Sequence, residues 1–432
     1  MNFYSLHHKA PNTNFKNAVI NGIAPDRGLY FPESITPLPD SFFNEIEHLD
    51  NTEIAFRAIK QFVGNDIPEN DLKTIVEDTL QFHFPLVKVE KNVYSLELYH
   101  GPTMAFKDVG ARFMARCLQY FNRNSDDKVT VLVATSGDTG GAVASGFLGV
   151  KGVDVVILYP KGKVSDIQER QLTTLGQNIT ALEVDGVFDD CQDMVKSAFL
   201  DTGITDSRKL TSANSINVAR WMPQLFYYLF AYKALKSKGK EIAFSVPSGN
   251  FGNICAGILA HKLGMPAKQF IASTNVNDVI PKFMETGNFN PVASKQTISN
   301  AMDVGNPSNF VRIQELYDND LSALKEIFSS TSYTDDATRK TMKEVYNKSG
   351  YVADPHGAVG YLGLKDYLKN EPETVGVFLE TAHPVKFLDV VQNTLHIDVD
   401  IPSQIQAVLN KKKTKIAIKS YDDLRSYLLQ TR

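Results

Sequence analysis

The sequence predicts an α/β protein with parallel or mixed sheets flanked by helices. Two observations carry this. From about residue 128, short β-rich apolar runs alternate with helical patterns, the order that builds parallel strands with helices on both faces. Three of the strand-to-helix junctions carry small or polar loops, at 135–141, 247–253 and 380–384, where open parallel sheets bind their ligands.

The elements read as follows. Residues 1–90 have their own texture, with helical patterns near 37–82 and turn-rich ends. KVTVLVA (128–134) is a buried strand, followed by the loop TSGDTGGAV and a small-residue helix. GVDVVILY (152–159) and NITALEV (178–184) are further strands. Residues 214–238 form a long helical stretch that Pro223 must kink or restart. IAFSV (242–246) leads through PSGNFGN into the helix ICAGILAHKL. Residues 265–330, with Asn, Pro and Gly clusters, read as loop-rich. VGVFLE (375–380) leads through TAHP into VKFLDVVQNTL. The texture of residues 1–90 marks a separate N-terminal part.

Composition narrows the function. The chain has 432 residues, enough for a large core in two or three domains. Lys plus Arg is 45 and Asp plus Glu is 49, a net charge of −4, which removes the electrostatic case for nucleic-acid binding. No apolar run approaches the roughly 18 residues of a membrane span. The N-terminus shows no secretory pattern, and three widely spaced cysteines fit a reducing compartment, so the expected location is the cytoplasm. Histidine and cysteine spacing offers no zinc site, and no metal is expected. The basic run Lys411–Lys415 reads as a solvated loop before the last helix.

Loop 247–253 suits a phosphate. Gly249 and Gly252 permit close backbone approach, and Ser248, Asn250 and Asn253 add short polar side chains at a helix start. It lacks the Gly-Lys-Ser/Thr ending of a P-loop and the spacing of a dinucleotide fingerprint, so a single phosphate is expected. A tight turn with helix caps is the competing reading. Loop 135–140 suits a carboxylate or phosphate, although Asp138 is unfavourable for an anion unless it meets a donor; an Asp or Thr cap is the rival here. Lys107 is an ordinary surface lysine taken alone. Its setting, after Gly101-Pro102-Thr103 and Phe106 and at the start of an apolar helix, instead suggests a buried amine of lowered pKa suited to Schiff-base chemistry.

Across its whole length the chain resembles the threonine synthase family, fold-type II pyridoxal 5′-phosphate enzymes of the tryptophan synthase β-subunit superfamily. The resemblance rests on AVINGIAPDRGLYFPE (18–33), HGPTMAFKDVGARF (100–113), TSGDTGGAVA (135–144) and SANSINVARW (212–221). VPSGNFGNICAG (246–257), AMDVGNPSNF (301–310), ADPHGAVGY (353–361) and ETAHPVKF (380–387) follow in the expected order.

The resemblance implies a role for each motif. Residues 1–95 become the family's N-terminal region, 96–235 a small, mobile domain with the cofactor lysine, and 236–432 a large domain with the phosphate loop. Lys107 holds the cofactor aldehyde and then shuttles protons. Gly249, Asn250, Phe251, Gly252 and Asn253 cradle the cofactor phosphate, Thr381 faces the pyridine nitrogen, and Phe106 walls the site. Ser136, Gly137, Asp138 and Thr139 hold the substrate carboxylate, with Asp138 near the cofactor's 3′-oxygen. Asn217 and Arg220, three apart on one helix face, are first choice for a substrate phosphate, with Ser215 nearby. Asp303, Asn306, Ser308 and His356 are weaker candidates, and His383 can line the site. The implied reaction converts O-phospho-L-homoserine and water to L-threonine and phosphate, by β,γ-elimination and water addition. A serine/threonine dehydratase-like enzyme and a non-catalytic cofactor-binding homologue are the alternatives. The oligomeric state has no sequence signal.

Overall fold

The computed structural model describes residues 1–124 and 128–430. At the N-terminus, β1 (Asn2–Ser5), β2 (Thr13–Asn14) and β3 (Tyr30–Pro32) form a small antiparallel sheet. The expected helices follow, chiefly Asn51–Val63 and Glu69–Thr79. The first starts where the Asp50 side chain accepts the Glu53 N–H, and it buries Ile54, Ala55, Ala58, Ile59 and Phe62 on one face.

Two larger sheets make the body. One contains β4 (Leu86–Glu90), β5 (Val93–Glu97), β10 (Ile242–Pro247), β11 (Gln269–Thr274), β12 (Phe328–Ser332) and β13 (Val375–Glu380). Its order is β12-β11-β10-β13-β5-β4, parallel except for the antiparallel edge strand β4. The other contains β6 (Val129–Ala134), β7 (Val153–Pro160), β8 (Ile179–Val184), β9 (Lys209–Ser212) and β14 (Ile416–Ile418). Its order is β14-β8-β7-β6-β9, all parallel. Their central strands β6, β10 and β13 are buried along their whole length, which is why they read as apolar runs. Four helices carry the site: α1 (Lys107–Asn122), α2 (Asp138–Phe147), α3 (Gly252–Lys262) and α4 (Pro355–Leu368).

Three expectations change. Residues 265–330 are not loop throughout: β11, β12 and helices Val279–Thr286, Phe310–Glu315 and Leu321–Ile327 lie there. Polar residues hid the strands, because their hydroxyls find partners inside the sheet, as Ser273 Oγ does 2.8 Å from Ser245 Oγ. The stretch 214–238 begins its helix at Val218 and breaks at Pro223, which sits in a 3₁₀ turn before Leu225–Leu235. The basic run is an anchor and not a solvated loop. Lys413 bonds Asp166 and Glu169, Lys415 bonds Glu169 and Glu183, and the chain then enters β14 beside β8. The C-terminal segment therefore completes the sheet built from residues 129–212.

Arg312 joins the N-terminal sheet to this body. It is fully buried, stacks over Trp221 at 4.4 Å, and donates to the carbonyls of Tyr30 (3.0 Å), Ser215 (3.1 Å) and Ile216 (2.6 Å). A lysine offers no planar fork for these three directions. Arg312→Lys is expected to lower stability by about 2–4 kcal/mol in urea unfolding, as buried carbonyls lose their donors.

Candidate active site

The two halves of the site are laced together by backbone. The segment before Lys107 pairs with the segment after β13: Ala105 bridges Ala382, Phe106 N–H donates to Thr381 O at 2.9 Å, and His383 N–H donates to Met104 O at 3.1 Å. This fixes Lys107 close to Thr381. Tyr227 OH donates to Phe106 O and braces the same turn. Asp108 accepts the Thr103 N–H at 2.9 Å and its hydroxyl at 2.5 Å, closing the loop that starts α1.

Lys107 is the first residue of α1, and its Nζ lies 5.6 Å from the centre of the Phe106 ring. The side chain keeps some solvent exposure along its length, but protein atoms crowd its amine. That desolvation pushes its pKa down to about 8; Asp138 opposes the shift, and Arg220 and Lys386 add to it. The amine is thus neutral at mildly alkaline pH, as the sequence suggested.

Loop 135–140 is held by Thr135, whose Oγ1 accepts the N–H groups of Gly137 (2.9 Å) and Gly140 (2.8 Å). Gly137 has φ +136°, and a Cβ there would stand 2.4 Å from the Gln168 amide carbon. Its N–H is already used, so Ser136 and Thr139, half-buried, are the groups of this loop left for a carboxylate. Asp138 finds its donors within the protein. Lys386 Nζ lies 2.6 Å away and Gln168 Nε2 2.9 Å away, both on Oδ1. Burial alone would raise the Asp138 pKa, but the Lys386 and Lys107 charges outweigh it and hold the group at about 2. Asp138 is therefore an acceptor, with no proton of its own to share.

Loop 247–253 is braced by its neighbours and keeps spare donors that fit a phosphate. Ser248 N–H donates to Ser273 O at 2.9 Å, and Asn250 Oδ1 accepts both the N–H and hydroxyl of Ser308 at 2.8 Å. A Cβ on Gly249 would stand 2.7 Å from Met302 Cα, so only glycine lets the 299–303 backbone come this close. Phe251 takes φ +61° as the cap of α3, and the first helical bond there is Cys255 N–H to Phe251 O; the preceding N–H groups are left for a ligand. Tyr228 OH donates to Asn253 Oδ1 at 2.5 Å, while Asn253 Nδ2 is buried without a partner. An orphaned donor at a helix start, a glycine cradle and a desolvated lysine are what pyridoxal 5′-phosphate needs, and these residues fit it.

The candidates for a substrate phosphate separate. Arg220 is buried, and its Nε and Nη1 have no partner; burial lowers its pKa to about 10, and it adds positive charge near Lys107. Asn217 is not on its helix face. It caps the helix Val218–Trp221, accepting the Ala219 N–H and donating to Val19 O and Ser212 O, so it has nothing left for a ligand. Ser215 Oγ accepts from Asn309 at 2.9 Å. His356 is also spent: its Nδ1 bonds Asp354 at 2.7 Å and its Nε2 accepts the Ala301 N–H at 3.2 Å. Asp303 is tied to Thr297, Asn275 and Asn277, and burial raises its pKa to about 6. Asn306 is exposed. His383 caps its own turn through the Val385 N–H, and burial lowers its pKa to about 4.

Lys386 is the residue that sequence reasoning missed. It is fully buried, reaches Asp138, and donates to Thr103 O at 2.9 Å. The signal lay in ETAHPVKF, but a lone lysine usually reads as surface. Lys107, Arg220 and Lys386 bring three basic groups to two carboxylates, Asp138 and Asp108. The site is net positive and suits a substrate with two anionic groups.

Comparisons with known proteins point the same way. Residues 80–380 match the family described as pyridoxal-phosphate dependent enzyme. Residues 2–80 match the threonine synthase N terminus, and residues 357–427 the threonine synthase C-terminal family. The chain is 42% identical over 438 residues to a threonine synthase of Haemophilus influenzae, covering 100% of both proteins. It is similar to the crystal structure of threonine synthase from Escherichia coli, with TM-score 0.94, 40% identity and 100% of each chain covered. It is also similar to the PLP-bound threonine synthase from Brucella melitensis, with TM-score 0.93, 34% identity, and 100% and 99% of the two chains covered.

The Lys386–Asp138 pair makes a direct prediction. Lys386→Met leaves a buried carboxylate with a single amide donor and should cost about 3–5 kcal/mol in chemical denaturation. Pairing it with Asp138→Asn should recover a substantial part of that loss. Equal losses in the single and double variants would show that the charge on Asp138 is not what Lys386 serves.

Proposed function

The chain belongs to the threonine synthase family of pyridoxal-phosphate-dependent lyases, and on that premise we propose that its substrate is O-phospho-L-homoserine, converted with water to L-threonine and phosphate. The observation that carries this reading is an amine of lowered pKa, Lys107, beside an unpartnered buried guanidinium, Arg220, in a net-positive site. One group does the proton chemistry and the other offers itself to a leaving phosphate.

Pyridoxal 5′-phosphate, when bound, supplies the electron sink that acidifies the hydrogens on the substrate's α and β carbons. The residues do the rest. Gly249, Asn250, Phe251, Gly252 and Asn253 hold the cofactor phosphate through spare N–H groups and the free Asn253 amide. The Thr381 hydroxyl would hold the cofactor's ring nitrogen; a hydroxyl there would hydrogen-bond it without keeping a full proton on the ring, which would favour substitution over transamination. Phe106 walls the site. Ser136, Thr139 and the N-terminal turn of α2 hold the substrate carboxylate. Lys107 Nζ takes the proton from Cα and returns it at the end. Arg220 stabilises the charge that develops as phosphate leaves Cγ. The mobile part is the 96–235 segment, whose four parallel strands are joined by β14, and it closes to keep water from the intermediates until it is needed.

The dehydratase-like reading is not favoured, since residues 2–80 and 357–427 match segments named for threonine synthase. Among the described residues no helix is long and apolar enough to cross a membrane. The three cysteines are free and buried, which supports a place in the cytoplasm.

Two outcomes are expected. Incubation of the cofactor-loaded protein with O-phospho-L-homoserine releases inorganic phosphate and L-threonine one for one, and Lys107→Ala lowers both by about 10³-fold or more. Phosphate without threonine would mean elimination to a keto acid and an open site. Separately, the rate at which cofactor-free protein forms its visible chromophore should rise about tenfold per pH unit up to pH 8 and then level off, because only the neutral amine captures the aldehyde. A rate that keeps rising to pH 10 would return Lys107 to an ordinary lysine.

A further inference from the structure

Glu380 ends β13, one residue before Thr381, and is fully buried. Its Oε1 accepts the Asp354 N–H at 2.6 Å. Its Oε2 has no partner, and neither has Asp354 Oδ2. Helix α4 presses onto this carboxyl so closely that a Cβ on Gly357 would stand 1.5 Å from Oε2.

The two acids are supported unequally. Asp354 caps α4: its Oδ1 accepts the His356 N–H at 2.5 Å, the Gly357 N–H at 3.4 Å and His356 Nδ1 at 2.7 Å. Those donors and the helix N-terminus favour a negative charge there. Glu380 has one N–H and no cation. Across the strand pair it faces Glu97, whose own oxygens are taken by His100 Nε2 (2.7 Å) and Tyr351 OH (3.0 Å). Tyr99 and Tyr351, the other titratable groups nearby, bring no positive charge. Burial, then Asp354 and Glu97, drive the Glu380 pKa well above the carboxylate range.

The pair sits between the two ends of the cofactor site. On one side, Glu380 O accepts the Leu98 N–H at 3.0 Å and the next carbonyl, Thr381 O, accepts the Phe106 N–H. On the other, Asp354 holds His356, His356 Nε2 holds the Ala301 N–H, and the Ala301–Met302 backbone packs on Gly249. We propose that Glu380 is a protonated carboxylic acid that donates its hydrogen to the ionised Asp354, and that this single-proton pair positions Thr381 relative to the cofactor-phosphate loop. The positioning role rests on the reading of Thr381 and residues 249–253 given above.

Infrared spectroscopy of the full chain tests the proton without any cofactor. The wild type should show the carbonyl stretch of a protonated carboxylic acid at neutral pH, shifted in D₂O and missing from Glu380→Gln. No such band in the wild type overturns the proposal. Cofactor affinity, followed by visible absorbance, tests the positioning. Glu380→Ala should weaken pyridoxal phosphate about 10-fold or more, because Asp354 loses its donor and its N–H loses an acceptor. Glu380→Gln, which keeps both, should bind within about threefold of the wild type. A glutamine variant as weak as the alanine variant would show that the carboxylate charge is needed, and overturns the proposal. Thr381→Val and Gly249→Ala serve as the separate check. If both leave affinity and spectrum unchanged while the infrared band is present, the site reading fails and takes the positioning role with it.

Discussion

The structure depends on charges kept out of water between two sheets. Asp138, at the start of α2 on the five-stranded sheet, meets Lys386, just past β13 on the six-stranded sheet, at 2.6 Å with both side chains almost wholly buried. Neither charge could stay there alone. Their pairing lets the N-terminal turn of α2 come to rest near Lys107. It also places a carboxylate that opposes, without cancelling, the desolvation of the Lys107 amine. Remove that arrangement and the lysine has neither its position nor its chemistry.

A second constraint is backbone economy. The 104–106 and 381–383 segments use each other's peptide groups, so neither needs a long strand to be held. Loop 247–253 does the same with 299–309, where Asn250 and Gly249 take up the neighbouring backbone. The site is thus built from short loops whose polar groups satisfy one another. Among the buried groups left over are donors on Asn253 and Arg220, whose chemistry suits an anion.

Much of this was legible in the sequence. The buried strands at 129–134, 153–160, 242–247 and 375–380 announced themselves as apolar runs, and small or polar loops follow three of them, at 135–141, 247–253 and 380–384. What was hidden has a physical reason each time. FSSTS, the edge strand β12, is mostly hydroxyl, and its polarity masks its place in the sheet. Asn217 and Arg220 look like helix-face neighbours three residues apart, but the helix starts at Val218 and turns Asn217 into its cap. Lys386 is invisible because what buries it, Asp138, lies 248 residues earlier in the chain (386 − 138). Long-range pairing leaves no periodicity to read.

Strand β14 gives the molecule an order of assembly. The edge of β8 is covered only when the 416–418 segment arrives, and Lys415 lies 232 residues after the Glu183 it bonds. During synthesis, a long interval passes in which a largely buried parallel strand is complete and its outer edge is bare. The lysines at 413 and 415 lie just before that strand and pair with Asp166, Glu169 and Glu183, so their attraction favours this register. The 413–418 segment is thereby a closing latch against self-association, and the sheet is at its stickiest until that segment has docked.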